Sequence, residues 1–514
     1  MQLFKEKPFY IRHAEYLAKQ HMTGMPPIGL TFEDVLVQPA HSTIPSRQSG
    51  HISLNSHVVG DVYVNAPIMT ANMDTITEWR MAQEIALLGG VGVIHRYLSS
   101  DEQARQVKIV KEKTRTLQDK PFSVHPDATI RDMRRLQKEL KTGYFLVQDT
   151  ESNLLGIVTD IDMETTEDVS TQAFNIMTPR DRLITVPAGT TLEEAEKIMK
   201  ANRIKKVPVM SSEGRVVGVY TRKDAELVRK YPYASRDNKG KLIVGGAIGV
   251  KDIEAEVERA YKLVDAGVDF IIIDIAHGDS ENMKRMLKRL IKENIPVPII
   301  AGNIATSEAA KALIGEGARG LKVGIGPGWA CDTRVVAGVG RAQISTIASV
   351  AAVAVKNNIA VIADGGMRNP GDLVKALVAG ADIGMFGGMF AGTEETPGKK
   401  IIRGRKFYKR YEGMASDSAR RRAKNALNTI QTIGSIYEDR YSETEEGEEQ
   451  DAPEGREKEV PYRGPAKEVF IYIRGGVRSG MSYINAYTIP EMREKGELER
   501  ITQAGAVEQY GDII

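Results

Sequence analysis

The chain of 514 residues has one cysteine, Cys331, and two tryptophans. A single thiol excludes an intramolecular disulfide and any all-cysteine metal cluster. Neither sign of charge is in excess: 70 Lys and Arg face 68 Asp and Glu, a net charge of +2. That balance excludes the strongly basic footprint expected of a nucleic-acid-coating protein. Long apolar runs are missing too. No stretch of about 18 apolar residues occurs, and the opening MQLFKEK lacks the apolar core of a signal peptide. The expectation is a soluble, cytoplasmic protein with neither a membrane nor a nucleic acid as partner. What is present is a globular composition, 42% hydrophobic and 27% charged, which allows a sizeable core.

Eight short apolar runs recur along the chain: Val64–Met69, Val91–Ile94, Leu242–Val244, Phe270–Asp274, Val297–Ala301, Leu321–Val323, Ala360–Ala363 and Ile383–Phe386. Near-continuous apolar segments fit strands buried on both faces of a parallel sheet. Amphipathic helical patterns lie between most of them: Thr77–Leu88, Asp252–Asp265, Glu281–Glu293, Ser307–Gly315, Gln343–Lys356 and Gly371–Val378. Eight such units with glycine loops after the strands predict an α/β fold, a (β/α)8 TIM barrel. Its active site would lie at the C-terminal ends of the strands.

The spacing breaks once, between Ile94 and Leu242, and that interval holds an internal repeat. Ser123–Ile130 leads to Gly156–Asp162, and Thr185–Leu192 leads to Gly218–Asp224, each copy ending in Gly-x-x-Thr-x-x-Asp. Two copies would pair into one small inserted domain. The predicted organisation is barrel in 1–117, insertion in 118–228, and barrel again in 229–514. The repeat resembles a tandem pair of CBS-type motifs (a Bateman domain). That resemblance implies a regulatory purine nucleotide, with Asp162 and Asp224 at the ribose-contacting positions; the alternative is a purely structural insertion. Two charged runs, Arg420–Lys424 and the mostly acidic Ser442–Glu459, read as solvated, the second as a mobile loop. Val469–Ile473 and Gly475–Gly480 then resume a folded pattern.

Cys331 sits in the Gly/Pro-rich loop Gly324–Arg334, directly after the sixth run. A lone cysteine is usually a small core hydrophobe. Here the loop position, with amides and Arg334 nearby, points to a nucleophilic thiolate. Two more glycine loops follow the seventh and eighth runs, Asp364–Gly366 and Gly387–Gly392. Loops after those strands of a barrel often bind phosphate through backbone N–H groups. Asp364 would accept both hydroxyls of a ribose. The implied ligand is a nucleoside monophosphate. Asp274 and His277 after the fourth run, with Asn303 after the fifth, would hold a second ligand such as a dinucleotide.

Leu30–Pro39, Ala71–Thr75, Gly89–His95, the Cys331 loop, Ala363–Gly366, Gly387–Gly392 and Tyr411–Met414 together resemble the IMP dehydrogenase / GMP reductase family over nearly the whole chain. For the dehydrogenase branch, the resemblance implies oxidation of IMP to XMP with NAD⁺. Cys331 would attack C2 of IMP, Thr333 would assist, and a flap at about 415–460 carrying Arg440 and Tyr441 would drive hydrolysis. Substrate contacts would come from Asn303, Gly328, Asp364, Gly366, Gly387, Gly388, Tyr411, Gly413, Met414 and Glu454. The cofactor would meet Asp274, His277, Gly324 and Gly326. K⁺ would bind the carbonyls of Gly326, Gly328 and Cys331 with Glu508 across a subunit boundary, in a homotetramer.

Several residues depart from the family pattern. Trp329 stands where a small residue, often Ser, is usual, and Asp332 where Thr is common. An insertion separates Met414 from Asp439. Asp417 occupies the position of a catalytic Glu in GMP reductases, which favours the alternative of NADPH-dependent deamination of GMP to IMP. A third alternative is a nucleotide-binding regulatory homologue without turnover. The tail Ile501–Glu508, the repeat and Arg440-Tyr441 favour the dehydrogenase.

Overall fold

A strand covered on both faces has no polar side to show, and eight segments of this chain meet that requirement. The computed structural model describes residues 7–22, 26–48, 50–113, 117–119, 121–140, 142–416, 419 and 454–508. In it, β1 (Ile68–Thr70), β2 (Val91–Ile94), β3 (Val244–Ile248), β4 (Phe270–Asp274), β5 (Ile299–Ile304), β6 (Gly320–Val323), β7 (Ala360–Asp364) and β8 (Ile383–Phe386) close into a barrel. Every neighbouring pair is parallel, and β8 closes on β1 with Met385 opposite Met69. The interior is filled, with Met69, Val93, Ala247, Ile272, Ile300, Ile362 and Met385 all buried. Burying one such aliphatic side chain contributes about 1.5–3 kcal/mol.

All eight expected strands form, three of them with limits shifted by more than one residue. The run from Val64 to Met69 is divided. Val62–Val64 pairs antiparallel with Ser56–Val59, and the barrel strand begins only at Ile68, because Pro67 offers no N–H to a ladder. The third strand starts and ends later than its apolar run, since Gly245 and Gly246 join the ladder without any side-chain signal. The fifth extends to Ile304. The intervening helices are fixed by their first residues. Asp252 accepts from the Ala255 N–H at 3.1 Å and Thr306 from Ala309 at 3.1 Å. Each such cap contributes about 1 kcal/mol.

The chain divides into two compact units: Met1–Lys113 with Tyr233–Asp237 and Leu242–Ile514, and Thr114–Pro232 with Asn238–Lys241. The second unit contains the repeat. Each copy carries a helix followed by an antiparallel pair, Ile130–Leu140 before Tyr144–Gln148 and Leu154–Thr159, then Leu192–Ala201 before Lys206–Met210 and Val216–Thr221. Tyr144, Leu146, Ile157, Met210 and Val219 pack the two copies together. The Thr-x-x-Asp signature is a helix cap in both. Asp162 accepts from the Thr159 amide and hydroxyl at 2.7 Å, and Asp224 accepts from the Thr221 hydroxyl at 2.6 Å.

The C-terminal third corrects one expectation. The loop expected over Ser442–Glu459 does not run to its end unpaired: Glu457–Pro461 is a strand antiparallel to Lys406–Glu412. One apolar anchor suffices, because Val460 is buried beside Tyr411 and Ala391 while the partner strand satisfies the backbone. Val469–Ile473 and Gly475–Gly480 belong to one helix, Ala466–Tyr483. Among the described residues no helix is long and apolar enough to cross a membrane.

Candidate active site

The loops after the barrel strands enclose a cavity of about 1030 Å³. Asp274, Asn303, Gly324, Gly326, Gly328, Cys331, Thr333, Asp364, Gly366, Gly387, Gly388, Tyr411, Gly413, Met414 and Glu454 all line it. His277 does not. The Ile275 and Gly278 amides bond to the carbonyls of Gly302 and Asn303, which carries the loop past the cavity and leaves His277 exposed. Glu508, on the short helix Gln503–Glu508, is exposed and also absent from the lining. Asp162 and Asp224 lie in the other unit. Arg440, Tyr441 and Asp417 fall outside the described residues.

Cys331 stands at the head of a short relay. Its Sγ lies 3.1 Å from the Thr333 hydroxyl, which donates to Glu454 Oε2 at 2.7 Å. With the hydroxyl proton committed to the carboxylate, Thr333 is left to accept from the thiol. Glu454 is held there by backbone pairing. Its carbonyl accepts from the Asp332 amide at 2.7 Å, Cys331 bridges Gly455, and the Arg456 amide donates to the Ala330 carbonyl at 3.0 Å. The Arg456 guanidinium also pairs with Asp332. Asp332 thus has a cationic partner from the same segment that supplies Glu454. Arg334 spends an N–H on the Arg341 carbonyl at 2.6 Å.

The glycine loops flank the thiol. Gly366 has φ +85°, a conformation L side chains rarely adopt, and a Cβ there would stand 3.2 Å from Phe32 and Pro327. At Gly388 a Cβ would lie 2.8 Å from Trp329 Cε3. The indole, 44% exposed, tilts against Tyr411 at 5.7 Å and carries the Lys458 ammonium over its face at 5.0 Å. A large residue at 329 is thus accommodated by the absent side chain at 388. Burial pushes the Tyr411 hydroxyl pKa up, with Asp364 and Cys331 adding in the same direction.

Deeper in the cavity lies a residue that sequence reasoning missed. Lys322, inside β6, is buried with its ammonium between Asp274 at 2.7 Å and Asp364 at 2.8 Å. Burial alone would lower the Lys322 pKa, but the two carboxylates outweigh it and raise it. Burial alone would raise that of Asp274, but Lys322, with Arg96 and Asn72 adding to it, outweighs burial and the pKa falls. The signal in the sequence was a single charge within a buried strand, a position that almost always requires a partner. Among the described residues no cluster of His, Cys, Asp and Glu could hold a metal ion. The backbone carbonyls of the Cys331 loop are the cation donors on offer.

A filled parallel barrel with a thiol, glycine loops and two carboxylates at its C-terminal rim defines a (β/α)8 enzyme. The IMP dehydrogenase / GMP reductase domain matches residues 29–511, and the chain belongs to that family. An inosine-5'-monophosphate dehydrogenase of Aquifex aeolicus is 41% identical over 485 residues, 94% of this chain and 95% of its own length. The enzyme of that name from Halalkalibacterium halodurans is 40% identical over 483 residues, with the same coverage. Among solved structures, a Trypanosoma brucei GMP reductase variant with guanosine 5'-monophosphate is similar at a TM-score of 0.82 and 36% identity. The match covers 96% of this chain and 99% of that one.

Proposed function

We propose that this protein oxidises IMP to XMP with NAD⁺, the reaction that leads toward guanine nucleotides. The observation that carries the reading is the Cys331–Thr333–Glu454 relay beside two glycine loops, in a chain 40–41% identical to inosine-5'-monophosphate dehydrogenases over almost its full length. The Cys331 sulfur adds to C2 of IMP while its proton passes through Thr333 toward Glu454. NAD⁺, when bound, accepts the hydride from C2. Water then hydrolyses the Cys331–nucleotide thioimidate to XMP and free thiol. Asp364 faces the substrate ribose, the glycine loops face its phosphate, and Asp274 faces the dinucleotide. A cavity of about 1030 Å³ exceeds what a mononucleotide alone requires.

Arg440 and Tyr441 belong to this proposal as the pair that activates water, and the inserted repeat as a CBS-type domain, at about 118–228, binding a regulatory purine nucleotide. K⁺ on the loop carbonyls completes it, with a homotetrameric, cytoplasmic enzyme. Gly328 already accepts from the Cys331 amide at 3.1 Å and keeps a second lone pair. A second reading, reductive deamination of GMP with NADPH, is favoured by the similarity to the trypanosomal GMP reductase and by Asp417. One experiment separates them. IMP with NAD⁺ should yield NADH, faster with K⁺ present, and Asp417→Asn should retain most of that rate. NADPH oxidation with GMP and release of ammonia, lost in Asp417→Asn, would reverse the assignment.

A further inference from the structure

We propose that Lys322 is a positioning residue shared by the two nucleotide subsites, so that its one ammonium sets the carboxylates for the substrate ribose and the dinucleotide together. The inference deepens the functional reading above and rests on its assignment of Asp364 and Asp274. An ammonium has three N–H donors and no acceptor. Here all three are spent, on Asp274 Oδ1 at 2.7 Å, on Asp364 Oδ2 at 2.8 Å and on the Asn303 side-chain carbonyl. Asn303 tightens the arrangement by donating its amide to Asp364 Oδ2 at 2.9 Å and to the Gly324 carbonyl at 2.7 Å. Asp274 is further held by the side chain of Asn72. The three acceptors come from β4, β5 and β7, and the ammonium from β6 between them in the barrel.

Lys322 bonds to both carboxylates and so fixes their spacing, while Arg96 adds a second positive charge near Asp274. Asp364 accepts both Lys322 and Asn303 on Oδ2, which leaves Oδ1 for a ribose hydroxyl, while Asp274 accepts Lys322 on Oδ1. The cluster is therefore one unit with two outputs. Neutralising one carboxylate leaves the ammonium drawn to the other, which moves the acceptor at the opposite subsite.

The test uses the full-length protein and calorimetric binding of IMP and of NAD⁺, each measured separately. Lys322→Ala should weaken both by about tenfold or more, the loss expected for a charged hydrogen-bond partner. Added n-propylamine, which fills the truncated side chain, should restore both affinities over the same concentration range. Loss of one affinity alone, or recovery of one without the other, would overturn the proposal. If Lys322→Ala does not fold, Asp274→Asn and Asp364→Asn decide. Each should weaken binding at the other's subsite by about threefold, as coupled neighbours do. Effects confined to each residue's own nucleotide would sink the idea. A wild type that binds GMP and NADPH instead would refute the functional reading only. The same variants would then be read with those two ligands, whose riboses meet the same carboxylates.

Discussion

The Thr333 hydroxyl donates to Glu454 Oε2 at 2.7 Å while standing 3.1 Å from the Cys331 sulfur. A thiol, a hydroxyl and a carboxylate thus stand in hydrogen-bond sequence, the carboxylate 121 positions from Thr333 in the chain. Glu454→Gln keeps the shape and removes the acceptor charge. Its kcat should fall about 100-fold, the low end of a lost general base, with the KM for IMP changed less. Steady-state kinetics read this directly, and an unchanged kcat would remove Glu454 from the proton path.

Cys331→Ala should abolish turnover and leave IMP binding largely intact. Cys331 is the chain's single thiol and lines the cavity, so no other thiol can form the covalent adduct. Calorimetry with IMP beside an NADH assay checks both halves. A few per cent of residual rate would contradict covalent catalysis here.

Trp329 and Gly388 should behave as a pair. A Cβ at 388 would meet the indole at 2.8 Å, so Gly388→Ser alone should displace the ring and raise the KM for IMP about tenfold. In Gly388→Ser combined with Trp329→Ser the clash disappears and affinity should return. Double-mutant analysis measures the coupling, and strict additivity would show that the two do not interact.

The N-terminal helix Phe9–Met22 carries a pH dependence. His13 Nε2 lies 2.8 Å from the Ser345 hydroxyl, on the helix Gln343–Ala354. Burial, with Arg341 adding to it, pushes the His13 pKa down from 6.5 to about 4. A depressed histidine stabilises the fold above its unfolded pKa. That contribution is lost as pH falls through about 6.5 toward 4, by at most about 3 kcal/mol. Thermal melts of the wild type should drop across this window, and His13→Gln should flatten the drop. Equal slopes in both proteins would exclude His13 as the cause.

Replacing 118–228 with a short linker should leave a folded protein that still forms NADH from IMP. The repeat has its own apolar clusters, centred on Phe145 and Val158 and on Val207 and Val209. Purine nucleotides should no longer alter the rate. Unchanged nucleotide regulation in the deletion would place the regulatory site elsewhere.

The barrel was legible because its information is local. Phe270–Asp274 and Ile383–Phe386 read as buried strands from four or five consecutive residues, and the structure keeps those limits. Helix starts were equally local: Asp252 and Thr306 each cap within three residues of themselves. The glycine loops and Cys331 followed from their position after those strands. Limits moved where the local signal was weak, at the glycines of β3 and at Pro67 before β1.

Other features depended on residues far apart in the chain. Nothing in Leu321-Lys322-Val323 reveals that the lysine meets Asp274 and Asp364, 48 and 42 positions away, since only barrel closure brings β4, β6 and β7 to one rim. Nothing near Glu454 reveals Thr333, because the backbone pairing of Asp332 with Glu454 and of Arg456 with Ala330 across the cavity edge sets that approach. His277 matched a motif, yet two backbone hydrogen bonds leave it outside the cavity. The sequence by itself determined the elements, the loop that carries the single thiol, and the family, because short-range apolar patterns and loop glycines encode them. Tertiary structure alone decided which charges share a cavity and which proton has an acceptor, because those are distances between strands that the chain order does not contain.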